Sequence, residues 1–342
     1  MDALGWKPLA KIGGGRFSDI YKVQKNDPEN CSAVIGEQQL FALKLVDPDD
    51  EKPPHNIRNE IKILSDLKKA QEEQNTAISN VINLISVSFN NIEYGLLFPL
   101  LDMTLSQMIK SHVKSRVVFN SDGTMKMRKV NTIPIDNVFK IVVGLMKGLD
   151  WIHSRGVIHR DINPNNILFS REDPVMPVII DFGISYQGPD NNGLEKPDRK
   201  FTDIATGIYK APELLLSKRD YSNKVDMWAV GILIALILSK DGKPIFEQDS
   251  MYSDLVLLSN ILATFGSPPS DWSDCKGLTS FDSLNRTFFT KSPKPLETIV
   301  PRLFEEPETD SSSKLQKTIA GLTKYETSQR LSAHDSLAIL LC

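Results

Sequence analysis

The sequence predicts an α+β fold with a small β-rich N-terminal part and a larger helical C-terminal part. Residues 7–100 carry short β-type runs, such as FSDIYKV, FALKLV and YGLLFPL, and one helical pattern, HNIRNEIKILSDLKKA. From residue 103 onward helical patterns dominate, among them IDNVFKIVVGLMKGLDWIHSRG and VDMWAVGILIALILS. With 342 residues, 41% of them apolar, the chain is long enough to bury a sizeable core.

The elements follow from the spacing of apolar residues along the chain. The pattern at 55–70 predicts an amphipathic helix with one apolar face, formed by Ile57, Ile61, Leu64 and Leu67. Two further patterns, TLSQMIKSHV and SDLVLLSNILATFG, predict helices in the C-terminal part. Polar, aperiodic stretches predict three surface loops, at 25–39, about 111–132 and 187–200, and we interpret the second, which is basic, as an insertion.

Charge and hydropathy exclude several kinds of partner. Lys and Arg number 40 and Asp and Glu 43, for a formal net charge of −3. We therefore expect no binding to nucleic acid or to an anionic membrane through bulk charge. The longest apolar run, MWAVGILIALIL at 227–238, is shorter than the roughly 20 residues that cross a bilayer, and it predicts a buried core helix.

Cysteine usage and the first residues indicate an intracellular protein. Cys31, Cys275 and Cys342 are scattered and odd in number, which fits reduced, inert thiols better than a disulfide framework or a zinc site. The opening residues, MDALGWKPLA, lack the features of a secretory signal. We expect a cytoplasmic protein, with the nucleus left open as a second compartment.

A glycine-rich stretch, IGGGRFSDIYKV at 12–23, comes first among the motifs that carry chemistry. Gly13 and Gly15 fit the pattern Gly-x-Gly-x-x-Gly-x-Val, while Ser18 and Ile20 replace the third glycine and the valine. Glycine has no Cβ, so such a turn lets the backbone approach phosphate groups closely. A plain hairpin turn would give similar residues, so this motif depends on those that follow.

Charged residues at matching spacing follow the glycine-rich turn. Lys44 lies in the predicted strand FALK and Glu60 in the predicted helix after it, an arrangement that can clamp the α- and β-phosphates of ATP. In HRDINPNN, Asp161 is placed to accept the proton of a substrate hydroxyl, and Asn166 to bind magnesium. The triplet DFG supplies Asp181 as the main metal carboxylate. Chance does not account for these elements in this order, closed by TGIYKAPE at 206–213.

These motifs resemble those of eukaryotic protein kinases over essentially the whole chain. The resemblance implies one kinase domain, 1–342, with ATP bound between an N-lobe at 1–98 and a C-lobe at 103–342, joined by a hinge at 99–102. The small N-lobe should be β-rich and the larger C-lobe helical, and ATP and Mg²⁺ are the expected cofactors.

Further family matches imply structural roles. Asp226 in VDMWAVG should anchor the backbone of the catalytic loop, and Arg330 should pair with Glu213 of Ala-Pro-Glu. His159 and Phe182 resemble residues of the family's core.

The hinge has a proline at a position where its missing N–H costs nothing. If Phe98 is the gatekeeper, the adenine amine donates to the C=O of Pro99, and a ring nitrogen accepts from the N–H of Leu101. A proline that ends a strand would give the same residue.

The full set expected to contact ATP is Ile12, Gly13, Gly15, Ser18, Ile20, Ala42, Lys44, Glu60, Phe98, Pro99, Leu101 and Leu168. The residues expected in catalysis are Asp161, Lys44, Asn163 and Thr206, with Asn166 and Asp181 as metal ligands.

An asparagine, Asn163, occupies a position where the family usually has lysine. Asparagine can donate hydrogen bonds, for instance to Thr206, but brings no charge to the transferring phosphoryl group. Because the other catalytic residues are present, we expect an active enzyme. A pseudokinase scaffold is the alternative that Ser18 and Asn163 leave open.

The segments DFGISY, TDIATGIYKAPE, PPHN and LLFP resemble the single-subunit CDK-activating kinases of yeasts. This resemblance implies a monomeric Ser/Thr kinase that phosphorylates the activation loop of a cyclin-dependent kinase and needs no cyclin. A cyclin-dependent-like kinase with a partner subunit is the second alternative, which HNIRNEIKIL disfavours because it does not resemble the PSTAIRE-type cyclin-binding sequence.

The activation segment lacks the expected site of phosphorylation. In kinases switched on by phosphothreonine, the phosphate pairs with the arginine before the catalytic aspartate, here Arg160. The corresponding position is Phe201, which cannot be phosphorylated, although Thr202 is its neighbour. We expect activity without phosphorylation, with Phe201 holding the segment by packing.

Overall fold

The computed structural model describes residues 5–25, 40–74, 79–119, 124–188, 194–246, 253–285, 291–305 and 308–342. Its N-terminal part is one antiparallel sheet with the spatial order β1-β2-β3-β5-β4. The strands are β1 (Trp6–Gly14), β2 (Asp19–Lys25), β3 (Leu40–Val46), β4 (Ser86–Phe89) and β5 (Tyr94–Pro99). Helix α1 (Ile57–Gln74) follows β3 and packs with Ile57, Ile63, Leu64 and Leu67 buried, while Ile61 is only half-buried.

The C-terminal part is mainly helical, so the α+β class is confirmed. Its helices are α2 (Leu105–His112), α3 (Ile135–His153), α4 (Pro212–Leu215), α5 (Lys224–Ile237), α6 (Asp254–Phe265), α7 (Thr279–Asn285), α8 (Leu296–Ile299), α9 (Arg302–Glu305), α10 (Asp310–Leu322) and α11 (Ala333–Leu341). Short strands lie among them: β6 (Met103–Thr104), β7 (Val113–Phe119), β8 (Met125–Asn131), β9 (Val157–Ile158), β10 (Ile167–Phe169), β11 (Val178–Ile179) and β12 (Tyr186–Gln187). Helix α5 is buried almost all round, as its unbroken apolar run predicts.

The basic stretch at 111–132 is not the aperiodic loop that we expected. Helix α2 extends to His112, and β7 and β8 then pair as an antiparallel hairpin in which Val117 faces Met127. Valines on both strands favour extended backbone. The many charged residues made the stretch look like a loop rather than two strands. Arg116 also lies directly opposite Arg128, and two like charges at such a pair disfavour a sheet.

The other two predicted loops are described only in part. Residues 26–39 and 189–193 lie outside the described residues. The stretch at 187–200 is not a simple surface loop, because Tyr186–Gln187 pairs with β9 and Glu195 is buried.

A buried ion pair ties the segment at α4 to the chain before α11. Arg330 donates from Nη1 to Glu213 Oε1 at 2.7 Å and from Nη2 to Glu213 Oε2 at 3.0 Å. Both side chains are 0% exposed. The guanidinium also donates from Nε to the carbonyl of Lys324 at 2.8 Å, so its charge is well partnered. The predicted pairing of Glu213 with Arg330 is confirmed.

The described cysteines are free thiols: Cys275 is buried and Cys342 exposed, while Cys31 lies outside the described residues. Burial raises the pKa of the Cys275 thiol well above its usual range, so that it stays protonated. Among the described helices, none combines the length and apolar character needed to span a bilayer.

The Glu213–Arg330 pair gives a stability prediction. Arg330→Ala should lower the free energy of unfolding by about 3–5 kcal/mol, because it leaves the Glu213 carboxylate buried without its cation. Urea denaturation measures the change. Lys69→Ala, which removes the exposed Lys69–Glu73 pair at 3.8 Å, is the matched control and should have almost no effect. Equal losses in the two variants would contradict the prediction.

Candidate active site

A cavity of about 620 Å³ lies between the sheet and the helical part. Its size falls within the roughly 300–1,000 Å³ typical of small-molecule sites. All of the residues expected to contact ATP line it: Ile12, Gly13, Gly15, Ser18, Ile20, Ala42, Lys44, Glu60, Phe98, Pro99, Leu101 and Leu168. Asn166 and Asp181, the expected metal ligands, line it as well.

Sequence reasoning missed several residues that line the cavity. Ile82 and Leu64 contribute apolar surface, but neither belongs to a motif. Ile180 could have been found, because it directly precedes Asp181 in the chain. Met103, Thr104 and Gln107 line the same cavity from the chain beyond the hinge.

The glycine-rich turn closes one side of the cavity. Strands β1 and β2 pair Gly13 with Ile20 and Gly14 with Asp19. The N–H of Gly15 donates to the carbonyl of Ser18 at 2.8 Å, which closes the turn without a third glycine. A Cβ on Gly14 would lie 3.2 Å from that same carbonyl oxygen, so glycine keeps the backbone compact there.

The Lys44 ammonium joins three elements at the back of the cavity. It donates to both oxygens of Glu60, at 2.7 and 2.8 Å, and to Asp181 Oδ1 at 2.9 Å. Burial opposes the charge on Lys44, but the carboxylates of Asp181 and Glu60 outweigh it and hold the pKa of the ammonium above its usual range. Lys44 also outweighs the partial desolvation of Asp181 and lowers the pKa of that carboxyl to about 2. Lys44 and Asp181 are therefore both charged at neutral pH, whereas burial raises the pKa of the Glu60 carboxyl against the attraction of Lys44.

Asn166 and Asp181 lie side by side because their backbones are joined. The N–H of Ile180 donates to the carbonyl of Asn166 at 3.0 Å. The amide nitrogen of Asn166 donates to Asp161 Oδ2 at 2.7 Å and to the carbonyl of Asp161 at 2.9 Å, which leaves its amide oxygen for another partner. Carboxylate and amide oxygens are ligands that Mg²⁺ accepts, together with waters and phosphates. The described residues contain no group of three or more His, Cys, Asp or Glu that could hold a metal by themselves.

Asp226 fixes the backbone of the loop that carries Asp161. Its carboxylate accepts from the N–H of His159 at 2.9 Å and from the N–H of Arg160 at 2.8 Å. Asp226 is 1% exposed, and His153 Nε2 lies 2.9 Å from Oδ2, the oxygen that also accepts from the N–H of His159. The His159 ring packs edge-on against Phe182 with the ring centroids 4.9 Å apart. The structural roles predicted for Asp226, His159 and Phe182 are confirmed.

Asp161 is oriented by two neighbours. Its Oδ1 accepts from the hydroxyl of Thr206 at 2.7 Å, and its Oδ2 from the amide of Asn166. Asn163 is 3% exposed and bonds within its own loop: Nδ2 donates to the carbonyl of Asp161 at 3.2 Å, and Oδ1 accepts from the N–H of Asn165 at 2.9 Å. Thr206 therefore bonds to Asp161 rather than to Asn163.

Comparison with known protein families adds an independent finding. Residues 6–339 match the protein kinase domain. The match covers nearly the whole chain, including the sheet, the cavity and the helical part. Such domains transfer the γ-phosphoryl group of ATP to a protein hydroxyl. The chain therefore belongs to the protein kinase family.

Proposed function

We propose that this chain is an active Ser/Thr kinase that phosphorylates the activation-loop threonine of a cyclin-dependent kinase, as a monomer in the cytoplasm or nucleus. The observation that carries the catalytic part of the proposal is the set of contacts around the charged groups of Lys44, Asp161 and Asp181.

ATP would bind with adenine at the hinge and its phosphates under the glycine-rich turn. Pro99 and Leu101 line the cavity on the hinge side, where the carbonyl of Pro99 and the N–H of Leu101 would pair with adenine. Ile20, Ala42 and Leu168 would enclose the ring. Lys44 would bind the α- and β-phosphates while Glu60 holds its ammonium.

Asn166 and Asp181 would hold Mg²⁺, which would supply positive charge to the phosphates of ATP. Asp181 suits this role because its carboxyl stays ionised at neutral pH. Asp161 would orient the substrate hydroxyl and accept its proton. Thr206 and Asn166 hold the two oxygens of Asp161, so the carboxylate is fixed before substrate arrives.

Partner-free activity is supported by the contacts of α1. The N–H of Asn56 donates to the carbonyl of Gly183 at 3.0 Å, and Asn59 donates to the carbonyl of Ser185 at 2.9 Å. These bonds hold the helix against the DFG segment, with Glu60 already on Lys44. A cyclin would therefore not be needed to move α1 into position. The choice of substrate rests on the resemblance of TDIATGIYKAPE and its companion segments to yeast CDK-activating kinases.

The proposal predicts transfer of phosphate to one threonine. The chain is purified alone from bacteria and incubated with Mg²⁺ and radiolabelled ATP. Under these conditions it should label an unphosphorylated, catalytically inactive cyclin-dependent kinase. Mapping should place the label on the activation-loop threonine, and a substrate with alanine at that threonine should stay unlabelled. Label at another site, or dependence on an added cyclin-like subunit, would refute the substrate assignment.

Asp161→Asn tests the proposed base. We predict that kcat falls by about 10²–10⁴, the usual contribution of a general base, while the Kd for ATP stays within a few-fold. Steady-state kinetics and ATP titration measure the two quantities. Asp66→Asn, a change of an exposed carboxylate on α1, is the matched control and should leave both unchanged. More than about a tenth of the wild-type kcat would show that Asp161 is not the base.

Asn163→Lys tests the unusual asparagine. We predict a kcat equal to the wild-type value or up to about tenfold higher, because lysine adds charge facing the phosphoryl group. The lost bond to the N–H of Asn165 is replaceable by water, since Asn165 is exposed. Asn163→Ala, which loses the bonds without gaining charge, is the comparison. A kcat for Asn163→Lys below that of Asn163→Ala, with the fold intact, would mean that asparagine has a positive role.

A further inference from the structure

A second buried ion pair joins the catalytic loop to the activation segment. Arg160 donates from Nη1 to Glu195 Oε1 at 2.6 Å and from Nη2 to Glu195 Oε2 at 2.8 Å. The arginine side chain is 0% exposed and the glutamate side chain 1%. This paired geometry is the strong form of a carboxylate–guanidinium contact. It lies in a stretch that the sequence predicted as a surface loop.

The Glu195 carboxylate also holds the activation segment directly. Its Oε1 accepts from the N–H of Phe201 at 2.7 Å. The hydroxyl of Tyr221 donates to the carbonyl of Phe201 at 2.6 Å and accepts from Arg160 Nη1 at 3.1 Å. The Phe201 side chain is half-buried against the main core, as expected. Both backbone groups of Phe201 are thus bound, five residues before Thr206.

Arg160 directly precedes Asp161 in the chain, so the contacts that fix Arg160 bear on the position of Asp161. The backbone of Arg160 is in the left-handed region, with φ 71°, which costs energy in a residue with a side chain. Its N–H is fixed by Asp226, and its Nε donates to the carbonyl of Ile184 at 2.6 Å. Glu195 binds both terminal nitrogens of the same guanidinium, so it completes the contacts that set the direction of the loop at Asp161.

In kinases activated by phosphorylation, a phosphate with a charge of about −1.5 to −2 orders the segment through arginine contacts. Here the anion is part of the chain. We propose that Glu195 is a positioning residue whose carboxylate permanently takes the place of an activation-segment phosphate, holding Arg160, and through it Asp161, in the arrangement for transfer. This inference rests on the proposed transfer through Asp161.

The neighbouring cation is also engaged. Lys200 is 4% exposed, donates to the carbonyl of Pro197, and lies 5.3 and 5.1 Å from the ring centroids of Tyr186 and Tyr221. A phosphate that bound Arg160 or Lys200 would therefore have to displace partners that these cations already have. One guanidinium matched by one carboxylate needs no further anion.

Three variants of the full chain test the charge at position 195. Glu195→Gln keeps the size of the side chain and removes its charge, and it should lower kcat at least about tenfold with the KM for ATP within about threefold. The tenfold figure corresponds to the loss of one charge-assisted contact. Glu195→Asp, which keeps the charge, should recover part of that loss. Thr202→Ala and phosphatase-treated wild type should both match untreated wild type.

A purely structural role for Glu195 is tested by Leu315→Ala, which opens a cavity beside α10, outside the activation segment. Both this variant and Glu195→Gln are assayed well below their melting temperatures. Unchanged kcat in Glu195→Gln, with only a lowered Tm like that of Leu315→Ala, would overturn the proposal. Loss of wild-type activity on phosphatase treatment, restored by phosphorylation of Thr202, would overturn it too.

Hydrogen exchange separates this inference from the proposed function. If the wild type transfers no phosphate to any substrate, the proposed function fails, but peptides covering 196–206 still report the order of the segment. We expect their amides, that of Phe201 above all, to exchange at least about tenfold faster in Glu195→Gln, because a bound N–H has lost its charged acceptor. Equal exchange in Glu195→Gln and wild type would overturn the inference independently of any activity.

Discussion

The Lys44 ammonium is the charge on which the site depends. It is the point at which strand β3, helix α1 and the segment after β11 meet, because Glu60 and Asp181 both bind it. A buried ammonium is costly to leave unpaired, so Lys44 fixes the distance between the sheet and the helix. The same ion pair keeps the carboxyl of Asp181, which lines the cavity, ionised at neutral pH.

Two buried carboxylate–guanidinium pairs hold the activation segment in the same way, through charges that are costly to leave unpaired. Glu195 binds Arg160 near the middle of the segment, and Glu213 binds Arg330 at its end. Each pair is almost fully buried, so breaking either leaves an uncompensated charge in a low-dielectric interior. Exposed pairs such as Lys69–Glu73 contribute little to stability, because water and salt screen their charges. Thr206 therefore lies between two points of the chain, Glu195 and Glu213, that are each held by a buried ion pair.

The sequence predicted the parts of this structure that local motifs specify. Lys44 with Glu60 followed from residue type and spacing, whereas the pairing of Glu213 with Arg330 and the anchoring role of Asp226 were implied by the resemblance to protein kinases. The structure brings each set together. The hairpin at 113–131 was missed because its charges conceal the alternation of a strand. Glu195 was missed for a different reason: it is 35 residues from Arg160 and belongs to no motif. Only tertiary packing shows that its carboxylate is buried.

A carboxylate in the chain and a phosphate added to it differ in what they allow a kinase to do. A phosphate can be removed, so an enzyme that depends on one has two states and obeys whichever kinase and phosphatase control them. Glu195 is part of the chain itself, and its carboxylate contacts Arg160 at two points. Such an enzyme cannot be switched at this point by dephosphorylation. A built-in carboxylate of this kind would suit a kinase proposed to act upstream of others that are themselves switched.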